Sequence, residues 1–108
     1  VIVPVGGGGL IAGIATYIKS WSPATKIVGA QPANDACMHA SVKAGKIVEV
    51  DAKPTLSDGT AGGIEEGSVT FPIAQNLVDE WVEIEEDEIK KALLEMIKYE
   101  HKIIEGAA

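Results

Sequence analysis

Four consecutive glycines, Gly6 to Gly9, separate the β-branched run Val1-Ile2-Val3-Pro4-Val5 from a segment with helical periodicity. No other feature restricts the fold as tightly. Without a Cβ the backbone reaches positive φ and lets another group come close. A tight turn uses one or two such residues. Four in a row at a strand-to-helix junction suit a loop that wraps an anion, where the first N–H groups of the helix point outward unpaired.

The flanking pattern supplies the rest of the unit. Leu10, Ile11, Ile14, Ala15 and Ile18 lie on one face of a helix expected to reach about Ser20 and to stop before Pro23. Lys26-Ile27-Val28-Gly29-Ala30 reads as a second strand, parallel to the first because a helix joins them. Asn34 or Asp35 is expected to cap a helix through about Lys43, ended by Gly45, and Ile47 to Val50 suggests a short strand. The stretch 54–63, PTLSDGTAGG, is turn chemistry. Thr70, Phe71 and Pro72 open another helix, Trp81 to Ile84 alternates as a strand, and Ile89, Ala92, Leu93, Met96 and Ile97 mark a last helix with acids crowding its start. Alternating strands and helices predict an α/β fold, a largely parallel sheet with helices packed on it.

Composition narrows the partners. Hydrophobic residues make up 46% of the 108 residues, enough to bury one core. Nine lysines, no arginine and sixteen acids leave a net charge of −7, which argues against nucleic acid or an anionic membrane as partner. No apolar run approaches the roughly 18 to 20 residues of a membrane span. The lone Cys37 closes no internal disulfide, in keeping with a cytoplasmic setting. Because position 1 already lies within a strand-like run, the chain reads as an internal piece of something longer.

Three phosphate loops compete for the glycines. A Walker loop needs Lys and Ser/Thr after its last glycine, where Ile14 and Ala15 follow Gly13. A dinucleotide fingerprint fits Gly7, Gly9 and Ala12, yet its second strand should end in an acid, and Ala30-Gln31 stands there. The third candidate is the phosphate of pyridoxal phosphate. A Rossmann oxidoreductase fragment and a non-catalytic binding module stay open on these grounds.

The blocks PVGGGGLIAGIA, IVGAQP, TLSDGTAGG, VDEWVEIEEDEI and EGAA, in this order and spacing, resemble the threonine/serine dehydratase family. That family includes serine racemase and has the tryptophan-synthase-like fold, fold type II, of pyridoxal-phosphate enzymes. The resemblance implies that Gly6, Gly7, Gly8, Gly9 and Leu10 donate backbone N–H groups to the cofactor phosphate. It also implies that Gly59 lies against the cofactor and Glu105 beside its pyridine ring. Residues 1–108 would then be part of the cofactor-binding domain of a homo-oligomer. The full-length protein would turn L-threonine or L-serine into a 2-oxo acid plus ammonium by α,β-elimination, with serine racemase or hydroxyaspartate dehydratase as related activities. The family's Schiff-base lysine precedes its glycine loop and its ring-nitrogen Ser or Thr follows, so no catalytic residue is assigned within this chain. The chain by itself is expected to be inactive, and stable only with the rest of its chain or complementary chains.

The remaining chemistry-bearing residues have plainer readings. In the serine racemase branch two acids hold a divalent cation near the end of the second strand. Gln31, Asp35 and Cys37 stand at the corresponding positions, poor ligands for Mg²⁺ or Ca²⁺, so no metal is expected. Cys37 reads as a small buried hydrophobe, His39 and His101 as surface or packing residues, Glu65 and Glu66 as solvated, and Lys43 as a solvated helix lysine. Trp21 and Trp81 read as core or partner-facing aromatics.

Overall fold

The computed structural model describes residues 1–108. Three parallel strands, β1 (Ile2–Pro4), β2 (Val28–Pro32) and β3 (Glu80–Ile84), form one sheet in the order β1-β2-β3. Helix α1 (Gly9–Trp21) crosses from β1 to β2; α2 (Cys37–Ala44) and α3 (Thr70–Leu77) lie between β2 and β3, and α4 (Glu86–Glu100) follows β3. The α/β, all-parallel arrangement agrees with the strand and helix order expected from the sequence. No helix is long and apolar enough to cross a membrane.

The two faces of the sheet differ. Val3, Gly29 and Trp81 are register partners and share a face. On that side Val3, Val5, Ile11, Ala15, Ile27, Met38 and Ala74 form the core, with Phe71, Leu77 and Trp81 packed against it. Gly29 is bare because Trp81 lies over it: a Cβ there would come within 2.6 Å of the indole ring. The opposite face carries Ile2, 72% exposed, and Val82, 42% exposed. Along it Ile89, Ala92 and Leu93 of α4 join Pro4, Ala30 and Ile84 in an apolar cavity of about 330 Å³. The molecule is flat, 38 × 35 × 17 Å. Its 6743 Å² of accessible surface exceeds the roughly 5,700 Å² of a typical monomer of this mass.

Local departures from the expected elements have physical causes. β2 runs two residues further than expected, to Pro32, because β3 pairs with it through Pro32↔Ile84. Neither Asn34 nor Asp35 caps α2, whose N-cap is Ala36. The Asn34 amide instead donates to the Pro54 carbonyl, and the Asp35 carboxylate accepts from the Gly62 N–H, each at 2.7 Å. Residues 47–50 form no strand. The Val48 N–H donates to the Ser41 hydroxyl and its carbonyl accepts from Cys37 Sγ, so side chains of α2 take the place of a ladder. Gly45 ends α2 in the left-handed conformation, φ 74°, as expected.

Candidate functional site

The glycine loop is held from both ends. Before it, the Val5 N–H donates to the Ala30 carbonyl, and the Gln31 side-chain amide donates to the Val5 carbonyl at 3.0 Å. Gln31 is buried, and its Oε1 accepts from the His39 N–H at 2.8 Å, tying β1, β2 and α2 together just ahead of Gly6. Beyond the loop, the Ala12 N–H to Gly8 carbonyl bond opens α1. Between these two points no backbone N–H of Gly6, Gly7 or Gly8 meets a protein acceptor. Those of Gly9, Leu10 and Ile11 are the orphan donors of a helix start. Six successive donors are left unused, at the positive end of a 13-residue helix whose first turn contains no acid.

The four glycines do different jobs. Gly8 has φ 88°, and a Cβ on it would lie 2.6 Å from Met38 Cε and 2.9 Å from Thr70 Oγ1. A Cβ on Gly6 would press on the Thr60 backbone at 3.1 Å. Packing and conformation therefore demand glycine at 6 and 8. A Cβ on Gly7 or on Gly9 would meet nothing within 4 Å, and neither has positive φ. The chain's own structure gives no reason for glycine at those two places.

Gly6, Gly7, Gly8, Gly9, Leu10, Gly59 and Glu105, the seven residues singled out from the sequence, line one cleft of about 370 Å³, together with Pro4, Thr60 and Ala107. The segment 105–108 closes one side of it. A Cβ on Gly106 would fall 1.9 Å from the Leu56 carbonyl oxygen, so the tail docks there only because residue 106 has none. Glu105 Oε2 accepts from the Ala107 N–H at 3.0 Å and stands 3.1 Å from where a Cβ on Gly59 would be. The loop of Gly59 is a short 3-10 turn, Asp58–Thr60, with the Ser57 and Thr60 hydroxyls 2.6 Å apart. No lysine lines the cleft, so any positive potential at the glycine loop comes from backbone dipoles.

Sequence reasoning passed over Thr60, Thr70 and Gly106. For Gly106 the signal was present, a second glycine-containing block, but only its acid was singled out. The contacts of Thr60 and Thr70 with the loop span more than fifty residues and leave no mark in local spacing.

Other chemistry-bearing groups are committed elsewhere. Gln31, Asp35 and Cys37 each bond a different backbone group, and no group of three or more His, Cys, Asp or Glu is placed to hold a metal ion. The Gln31 amide, spent at both ends, is also not free to meet a ribose hydroxyl. Cys37 is buried. His39 stacks on Trp81 at 5.6 Å and pairs with Glu83 at 2.7 Å, a packing role, while His101 caps α4 with φ 53°. Trp21 is 67% exposed. The two shifted ionisable groups, Lys26 and Asp79, lie away from the cleft. The hydrogen bond and charge of Glu80 push Lys26 up, and Asp79 is held low by the Lys19 ammonium and then by the Ile27 N–H.

Fold and loop together define a parallel α/β unit with unpaired backbone donors gathered at the junction between its first strand and first helix. The chain belongs to the pyridoxal-phosphate dependent enzyme family, which matches residues 1–108. It is 43% identical over 107 residues to L-threonine ammonia-lyase of Thermotoga maritima, a match covering 99% of this chain and 26% of that protein. Among solved structures, a threonine deaminase from T.th. aligns with a TM-score of 0.88 at 33% identity, over 98% of this chain and 39% of that one. Maize serine racemase aligns with a TM-score of 0.89 at 29% identity, over 98% and 33%. The chain thus spans about a quarter of the length of the curated relative. Pyridoxal phosphate is the cofactor of this family.

Proposed function

We propose that residues 1–108 form the phosphate-holding part of a pyridoxal-phosphate hydroxyamino acid dehydratase. The full-length protein, in this reading, converts L-threonine or L-serine into a 2-oxo acid and ammonium, as a cytoplasmic homo-oligomer. The observation that carries the proposal is the pair Gly7 and Gly9: both are bare with open space before them, amid six backbone donors that nothing in the chain uses. A close-lying phosphate gives those glycines a reason.

When bound, pyridoxal phosphate supplies the electron sink that makes an amino acid's α-proton removable. The residues of this chain hold and orient. Backbone N–H groups of Gly6 to Leu10 would take the phosphate oxygens, helped by the α1 dipole. A carboxylate repels a phosphate dianion, so Glu105, fixed by the Ala107 N–H, would serve the ring end of the cofactor, with Gly59 bare so that both fit side by side. The lysine that holds the cofactor covalently and the partner of its ring nitrogen belong to segments outside residues 1–108.

Gly7→Ala in the full-length protein tests the assignment. The variant should keep the melting temperature of the cofactor-free protein and lose affinity for pyridoxal phosphate by tenfold or more, read from the absorbance of bound cofactor. Unchanged affinity sinks the proposal. Structural likeness to maize serine racemase, as close as that to the deaminase, favours a second reading as a racemase. Accumulation of D-serine from L-serine would select it over release of 2-oxo acid.

A further inference from the structure

We propose that Thr70 is a positioning residue that aims the glycine loop at the phosphate; the inference rests on the phosphate-holding reading above. Thr70 opens α3 and lies 63 residues from the loop, yet its hydroxyl donates to the Gly7 carbonyl at 2.6 Å. That carbonyl belongs to the Gly7–Gly8 peptide. A trans peptide sends its C=O and its N–H to opposite sides, so holding the Gly7 oxygen against α3 turns the Gly8 N–H away from α3. Thr70 and Met38 fill the space behind Gly8, and neither lines the cleft.

The direction of the proton chain is fixed by chemistry. A carbonyl only accepts, so the Thr70 hydrogen goes to Gly7, and the Ser68 hydroxyl, 2.8 Å from Thr70 Oγ1, must donate to Thr70. Ser68 Oγ in turn accepts from the Thr70 N–H at 3.3 Å, an orphan donor at the start of α3. This closed relay holds the threonine hydroxyl in one orientation. Left free, a glycine peptide with a backbone φ of 88° beside it has many alternatives of similar energy, and the loop would lose entropy on meeting the anion.

The test compares pyridoxal phosphate with pyridoxal, which lacks the phosphate, as probes of the cofactor-free full-length protein. Thr70→Val keeps the shape and removes the donor. Affinity for pyridoxal phosphate should fall roughly three- to tenfold, the worth of one ordered hydrogen bond, while affinity for pyridoxal stays as in the wild type. Thr70→Ser should restore it. Equal loss for both probes, or failure of Thr70→Ser to restore, would mean that the residue only packs, and the inference falls. Should Thr70→Val not fold, Ser68→Ala must show the same selective loss at smaller size, and its absence overturns the inference. A wild-type protein that binds both probes equally defeats the phosphate-holding reading itself, whatever the variants do.

Discussion

Helices α1 and α4 have opposite habits. α4 is satisfied locally: Glu85 and Glu88 form a capping box, and Glu86, Asp87 and Glu88 fill its first turn. Its body is poorly covered, with Ile89 alone buried and Leu94 and Ile97 at 58% and 50% exposure. α1 has no side-chain cap and no acid at its start, yet Ile11, Ala12 and Ala15 are buried against the sheet. Tertiary packing holds α1, which frees its N-terminus from capping itself. A capping box ties up part of a helix's own first turn, whereas a helix stabilised along its flank can leave all of its first donors open.

The largest effect that sharpens this contrast is a pair of truncations. Ile11→Ala in α1 should destabilise by about 2–5 kcal/mol, as for other fully buried aliphatic side chains. Ile97→Ala in α4 should cost no more than about 0.5 kcal/mol, the usual scale for exposed positions. Denaturant unfolding of the full-length protein measures both. Equal costs would break the contrast and mean that another segment covers the outer stripe of α4.

Gly106→Ala comes next. The new methyl meets the Leu56 carbonyl, and overpacking of this kind costs about 1–3 kcal/mol when the structure adapts. A tail that lifts away from Leu56 would carry Glu105 off Gly59 and leave α1 untouched. Amide exchange should therefore quicken at residues 57–60 and 105–108 and stay slow in α1. Faster exchange in α1 would show the two regions to be one cooperative unit.

Periodicity made the elements legible where a helix buries one side, as for α1 and α3. It failed at residues 47–50, where β-branched residues look like a strand but Ser41 and Cys37 claim the backbone groups of Val48. It also found α4, although of that helix's apolar stripe only Ile89 is buried, with Leu93 and Met96 half-buried. At the site, every residue that the family resemblance named lies in the cleft, because the glycine run and the TLSDGTAGG and EGAA blocks that carry the resemblance are contiguous in the chain. Thr60, Thr70 and Gly106 escaped because what makes them matter is distant in the chain: a hydroxyl meeting a carbonyl 63 residues away, or a missing Cβ opposite Leu56.

The smallest expected effect probes the end of α1 far from its free donors. Lys19, in its last turns, reaches Asp79 at 2.7 Å, and the same carboxylate oxygen accepts from the Ile27 N–H just before β2. Both contacts favour the ionised acid, so the folded state holds Asp79 below the ordinary carboxylate value of about 3.9. The stability this gives is fully present above that value and is lost as pH falls through the lowered one, since only there does the folded carboxylate take up its proton. Asp79→Asn should lower the melting temperature slightly at neutral pH and flatten its decline below about pH 4. With the carboxylate partly exposed, 1 M salt should shrink the difference. An acid decline equally steep in both proteins would remove Asp79 from the account and leave apolar packing alone to hold α1 in place.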